Sequence, residues 1–395
     1  MKRHGIFFAG CLGGLLGGLG NGVTLSASAQ QSAEEVAATL AEESGSAAVT
    51  QQLDWDLRTV LEQMGLSVSS PEQAGEYFTL AGVWDVLRDF CADRIQLPFQ
   101  MLGGLLTVIL FAALLEGMQC STSHAATVRV FDYVCALAAV SLLADPLFQS
   151  IAAVQTALEQ GASFMTAFVP VFAGILAAGG TAGTAVCYQT GVIALSDGVL
   201  QLICHTLLPL CTMGFSLAIV DAVSPSVSVG GLLTLSRKVT TWTLGLLMSV
   251  FLGVLSMQNL ISGSTDTAAA KTTRYVLSNF VPVVGSAVSD AYATVRGSLQ
   301  ILRSTTGVLG IMALCLLFLP PLLQLLLYRM VVAVGAAAAE LFGTQRLLRL
   351  LRGTQQALAI AFALLVCFAV MFIVATAVAM TIGTVSYTHL RAHET

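Results

Sequence analysis

Long apolar stretches, broken by short polar ones, fill the chain from about residue 98 onward. In the first, from Pro98 to Glu116, no charged residue precedes the glutamate. About 20 apolar residues in an α-helix match the hydrocarbon thickness of a bilayer, and a helix satisfies its own backbone polar groups in lipid. The pattern predicts an all-α fold, a polytopic membrane bundle of about seven or eight transmembrane helices. The predicted spans are 98–118, 128–146, 163–181, 184–204, 206–223, 241–261, 307–329 and 356–382.

The composition agrees with a membrane protein. Hydrophobic residues make up 56% of the 395 residues and charged residues 10%, whereas soluble globular domains are about 25% charged. Of the 22 acidic residues, 12 lie between Glu34 and Asp93, and the sequence has no basic block. The predicted partner is therefore the lipid bilayer, and no nucleic acid is expected to bind.

The N-terminus has the features of a secretory signal peptide over residues 1–29. Lys2 and Arg3 precede an apolar, glycine-rich stretch, and Ala27-Ser28-Ala29 is a small-x-small cleavage site. An uncleaved first membrane helix is the alternative. Residues 30–95 then form an acidic segment with helical periodicity, which we predict to be extracytoplasmic.

Residues 96–385 are predicted to form the membrane domain, and their charges orient it. The predicted inner loops carry the basic residues, whereas the predicted outer loop 147–162 contains Glu159 and no Lys or Arg. One outer loop, 262–306, breaks this trend with four basic residues. The last ten residues, 386–395, resemble translated adapter sequence, and we predict a non-native tail there.

Three arginines lie between the last two predicted spans. Arg346, Arg349 and Arg352 are spaced three apart and alternate with leucines. A short basic amphipathic turn of this kind suits an anionic inner leaflet. An ordinary positive-inside anchor has the same pattern, and the sequence leaves both interpretations open.

Catalytic signatures are absent from the sequence. It has no GxxxxGK[ST] phosphate loop and no HExxH zinc motif. Cys204, His205 and Cys211 lack a fourth metal ligand, and Ser216 more simply makes a helix–helix hydrogen bond than serves as a protease nucleophile. We therefore predict a protein that is not an enzyme and has no cofactor or metal site.

A polar group lies within the fourth predicted span. Gln189, Asp197 and Gln201 share one helical face. An ionised Asp at the centre of a membrane helix costs roughly 2.5–3.5 kcal/mol, so Asp197 is expected to face the bundle interior or a water-filled path. The group is either a functional lining or subunit contact, or a neutral, hydrogen-bonded Asp within the bundle.

The strongest motif lies in residues 264–305. Pro282 and Gly285 divide this segment into two helical halves, which predicts an amphipathic hairpin. The hairpin is either re-entrant or interfacial, or an ordinary surface element. The candidate functional residues are Asp266, Lys271, Arg274, Asn279, Pro282, Gly285, Ser289 and Asp290.

At this motif the chain resembles the stage III sporulation protein AE family of endospore-forming bacteria. The resemblance rests on Asp266 with Lys271, on the run from Asn279 to Gly285, and on Ser289-Asp290-Ala291. It implies a subunit of the channel or secretion complex between mother cell and forespore, located in the mother-cell membrane and supporting late forespore gene expression. The implied partners are other proteins of the same operon, including a secretion-type ATPase and a ring-forming protein that meets a forespore partner. The resemblance implies no catalytic residues.

An autonomous secondary transporter is the second hypothesis. It would use Asp197 and the helix breaks near Gly179 and Pro282 as an ion or substrate site. The lack of a clear internal repeat disfavours it.

Overall fold

The computed structural model describes residues 96–119, 125–223, 230–280 and 285–381. Within these ranges every residue outside two three-residue turns is helical, and no strand occurs. The predicted all-α membrane fold is therefore confirmed for this part of the chain. The predicted signal peptide (1–29), acidic segment (30–95) and non-native tail (386–395) lie outside the described residues.

Seven α-helices and one π-helical turn make up the described fold. They are α1 (Gln96–Gln119), α2 (Ala125–Ala178), α3 (Ala182–Leu202), the π-turn (Ile203–Leu207), α4 (Leu208–Val223), α5 (Gly230–Phe280), α6 (Gly285–Leu341) and α7 (Gln345–Thr381). Six helical stretches within them are long and apolar enough to cross a membrane. These are Gln96–Gly117, Val130–Ala178, Ala182–Val223, Gly230–Gln258, Gly297–Leu341 and Gln345–Met380.

These six stretches carry the eight predicted spans, because two pairs of spans share a helix. Spans 128–146 and 163–181 both belong to α2, so the outer loop predicted at 147–162 is wrong: those residues are helical. The helix continues because Leu147, Val154 and Leu158 recur at helical spacing and are buried. Spans 184–204 and 206–223 likewise form one helical run through the π-turn.

Two turns of the same construction reverse the chain, one after α2 and one after α6. Gly180 and Gly343 have φ of 81° and 80°, a left-handed conformation that glycine adopts without steric cost. In the first turn, the backbone N–H and the hydroxyl of Thr181 both donate to the Leu176 carbonyl, at 3.2 and 2.8 Å. Thr344 makes the same two bonds to Ala339. Each Thr carbonyl then accepts the first hydrogen bond of the next helix.

Helix α7 is central to the bundle. It packs against α2, α3, α4, α5 and α6, and half of its most apolar segment is buried inside the protein. Phe368 of α7 makes edge-to-face contacts with Phe318 of α6 and with Phe372, with ring centroids 6.1 and 4.7 Å apart. This last described helix therefore holds the core together.

Helices α2 and α6 interlock through two phenylalanine–glycine pairs. Phe168 of α2 lies where a Cβ on Gly310 of α6 would be, and Phe318 of α6 covers Gly161 of α2 in the same way. Lipid provides no hydrophobic drive for helices to associate, so close packing over small residues contributes much of their attraction. The two pairs fix the register between α2 and α6.

The arginine-rich start of α7 packs into the protein. Its four leucines are buried: Leu347, Leu348, Leu350 and Leu351. Arg346 stacks over the Tyr133 ring at 4.0 Å, and Arg352 pairs with Glu340 at 3.1 Å. Because these leucines contact protein, the segment has no free leucine face for a leaflet. The structure thus favours the ordinary anchor.

Candidate functional site

The predicted motif lies at the adjoining ends of α5 and α6. Asp266, Lys271, Arg274 and Asn279 are in the last part of α5, and Gly285, Ser289 and Asp290 are in the first turns of α6. Pro282 lies in 281–284, outside the described residues, as do the side chains of the other seven. The backbone therefore places the motif on two helical arms, one on each side of the predicted break.

Both arms are continuous with membrane helices. Helix α5 has 51 residues, or about 77 Å at 1.5 Å per residue, whereas a hydrocarbon core is about 30 Å thick. Among the residues whose side chains are described, its apolar stretch runs to Gln258, and that of α6 runs from Gly297. The arms are thus continuous extensions of two long helices, α5 and α6.

The second predicted group lies on the outside of the single chain. Asp197 and Gln201 are both exposed, and Gln201 Nε2 donates to Asp197 Oδ2 at 3.4 Å. Gln189 is half-buried, two helical turns away. A hydrogen bond therefore links two of the three residues, Asp197 and Gln201, and Gln189 is not part of it. The structure does not place Asp197 inside this chain's bundle, because Val192 and Val199 of α3 occupy the core-facing side.

Sequence reasoning missed a second polar element beside this group. Glu159 of α2 is exposed and accepts a hydrogen bond from Gln155 Nε2 at 2.9 Å. Its helix packs against α3, which carries Asp197. The helical spacing of Gln149, Thr156 and Ser163 could have revealed this face, but the segment was interpreted as a loop.

The cysteine, histidine and serine side chains near the π-turn do not form a common site. Cys211 is buried and its thiol donates to the Ala357 carbonyl at 3.2 Å, whereas His205 is exposed. The Ser216 hydroxyl donates to the Thr212 carbonyl at 3.1 Å. Among the residues whose structure is described, no cluster of three or more His, Cys, Asp or Glu side chains could hold a metal ion. This region presents exposed hydrogen-bonding groups and two acid–amide pairs, Gln201 with Asp197 and Gln155 with Glu159.

Comparison with known proteins relates the chain to one family. The model of the family described as stage III sporulation protein AE matches residues 67–383. A curated relative from Bacillus subtilis (strain 168), named stage III sporulation protein AE, is 25% identical over 284 residues, which cover 72% of this chain and 71% of the relative. No solved structure matches the chain significantly.

Proposed function

The chain belongs to the stage III sporulation protein AE family, and from this premise we propose that it is a non-enzymatic membrane subunit of a multiprotein channel or secretion apparatus. The apparatus would link mother cell and forespore during endospore formation and support late forespore gene expression. The protein would lie in the mother-cell membrane that surrounds the forespore, with its N-terminal segment outside the cytoplasm.

The exposed Asp197–Gln201 pair is the observation that carries this proposal. Both residues lie in a helical stretch apolar enough to cross a membrane, yet they are on the outside of the chain. Leaving an ionised Asp in lipid costs roughly 2.5–3.5 kcal/mol at mid-membrane. A chain that functions as one part of an assembly can cover such a group with a neighbour or with water.

The charge distribution supports the orientation and the partners. The basic residues of 329–352 would face the cytoplasm, where a secretion-type ATPase could act, since this sequence has no phosphate loop of its own. The two arms that carry Asp266 and Asp290 would then project outward, toward the ring-forming protein of the same operon.

Co-isolation tests the proposal. Tagged protein purified from sporulating cells in mild detergent should elute with the ATPase and the ring-forming protein in one large assembly. Site-specific crosslinkers placed through residues 266–297 should capture those partners, whereas crosslinkers at the lipid-facing Leu110 should not. Elution as a lone chain that binds a small solute would contradict the proposal.

An autonomous transporter that uses Asp197 is the alternative. Asp197→Asn removes the charge and keeps the shape, so it should abolish proton-coupled uptake of a solute but only weaken an assembly subunit. We expect the variant to remain in the assembly and to reduce the yield of heat-resistant spores only partly. Complete loss of uptake in vesicles that contain this chain alone would favour the transporter.

A further inference from the structure

The polarity of the exposed side chains differs from one part of the bundle to another. Between residues 101 and 115 the large exposed residues of α1 are all apolar, among them Leu106, Leu110 and Phe111, and between residues 242 and 257 the same holds for α5, with Leu246, Val250 and Leu252. Such surfaces suit lipid.

The exposed residues of helix α2 change along its length from large and apolar to polar or small. Up to Phe148 it exposes large apolar residues such as Val134 and Leu137. Beyond Phe148 every exposed position of α2 is polar or small, although this part is within a stretch apolar enough to cross a membrane. These positions are Gln149, Ala152, Gln155, Thr156, Glu159, Gln160, Ser163, Thr166, Pro170, Gly174, Ala177 and Ala178.

Helix α3 and the π-turn continue this surface. Between residues 187 and 207 their exposed positions are again only polar or small. They are Thr190, Ala194, Asp197, Gly198, Gln201, His205 and Thr206. Helix α2 packs against α3, and the short turn at Gly180 joins the two helices. We call the exposed residues 149–178 and 187–207 together the polar face.

The carboxylates give the polar face a negative charge. Residues 130–223 contain no Lys or Arg, whereas Glu159 and Asp197 are acidic and exposed on this face. Hydrogen-bonding groups and carboxylates on the outside of membrane helices mark water-filled paths or contacts with other chains. Among the residues that the structure describes, neither carboxylate forms an ion pair with a basic side chain, and such an acidic face favours water and cations over lipid.

We propose that the polar face lines an aqueous, cation-preferring passage in the assembled apparatus. This inference rests on the proposed function, since other chains of the assembly must supply the remaining wall. Water satisfies the exposed amides and hydroxyls, and the two carboxylates concentrate cations beside them. Helices α1 and α5 face lipid.

Thiol accessibility tests the passage, because a thiol reacts with these reagents as the thiolate, which forms in water. Single cysteines replace Gln155, Ser163 and Ala194 on the polar face, with Leu110→Cys and Val250→Cys as lipid-facing controls. The native cysteines are first replaced, and the chain is checked for spore formation. In membranes that hold the assembly, small reagents should label the three face positions and leave the controls unlabelled.

The charge and size of the reagent sharpen the test. A small cationic methanethiosulfonate should react roughly tenfold faster or more than an anionic one, and Glu159→Gln with Asp197→Asn should remove that difference. A polyethylene-glycol maleimide should be excluded by the surrounding chains. Labelling by the large reagent would show bulk water instead of a passage, and unlabelled face positions would show lipid or protein; either result overturns the proposal.

A matched pair in the native-cysteine chain gives an independent test. Thr166 on the polar face and Thr107 on α1 are both exposed, and each hydroxyl donates to the carbonyl four residues earlier, at 2.9 and 2.8 Å. Thr166→Leu should exclude water from part of the passage. Cells with a normal amount of this variant in their membranes should form few heat-resistant spores, whereas cells with Thr107→Leu should form as many as the unchanged chain. Equal spore yields for the two variants would overturn the proposal.

The experiments distinguish failure of the passage from failure of the proposed function. An intact assembly with an unreactive polar face would overturn only the passage. A chain that never joins the assembly would overturn the proposed function, whatever its labelling pattern.

Discussion

Single glycines control how closely the long helices approach one another. Gly161 and Gly310 each lie under a phenylalanine ring of the facing helix, and Gly353 of α7 meets Ala218 of α4 in the same way. Any side chain at these positions would occupy space that another atom already fills. These glycines are needed for the room they leave, whereas Gly245 and Gly253 of α5 have nothing within 4 Å of an added Cβ.

Gly310→Ala should therefore destabilise the bundle by about 1–3 kcal/mol, the usual range for an overpacked core. The new methyl group would force the ring of Phe168 out of its place between α2 and α6. The measurement is the unfolding temperature of the purified protein in detergent.

Gly253→Ala is the matched control for this variant. It adds the same methyl group to an open helical position, so its unfolding temperature should stay the same or rise slightly through helix propensity. Phe168→Leu should partly rescue Gly310→Ala by making room. Equal unfolding temperatures for the two alanine variants would show that the α2–α6 contact is looser than described.

The two turns that the structure describes between helices each depend on a left-handed glycine followed by a threonine. The turns at Gly180 and Gly343 end one helix and begin the next within three residues, and both use the same threonine hydrogen bonds. These short turns hold α2 beside α3 and α6 beside α7, and thus the α2–α3 surface that carries Glu159 and Asp197.

Gly343→Ala should cost about 1–2 kcal/mol, because an L-residue with a side chain is strained in the left-handed region. We expect a lower unfolding temperature and more cleavage by added protease near residues 342–344. Gly245→Ala, at an open helical position, is the control and should show neither change. A Gly343→Ala protein as stable as the control would mean that the turn can change its conformation at no cost.

The molecule as a whole depends on lipid as its solvent. Six apolar helical stretches and the exposed leucines of α1 and α5 leave a broad surface that water would not tolerate. The full chain should remain in the pellet when vesicles are washed at alkaline pH, as detected by immunoblot, while a peripheral marker protein moves to the supernatant. Recovery of the chain in the supernatant would contradict a membrane-spanning fold.

Much of this organisation was readable from the sequence. Apolar length predicted the membrane helices, and residues from Asp266 to Asp290 indicated the family that the comparison then confirmed. The sequence also identified Asp197 and Gln201 as a pair on one helical face, because residues four apart on a helix are neighbours.

Other features were misread or depended on packing. The polar residues of 147–162 suggest a loop, although Leu147, Val154 and Leu158 recur at helical spacing, and the structure shows them buried in a continuous helix. The sequence likewise left Asp197 facing either the bundle interior or a water-filled path, because which side of α3 faces the core depends on how α2, α5 and α7 pack around it.

Apolar length and charge by themselves determined that this chain is a bundle of membrane helices, since the bilayer's thickness and dielectric act on every segment separately. Only the tertiary structure decided that the polar residues of α2 and α3 lie outward, beside one another. That arrangement follows from contacts between residues far apart in the chain, such as Phe168 with Gly310 and Phe318 with Gly161, which no local pattern contains.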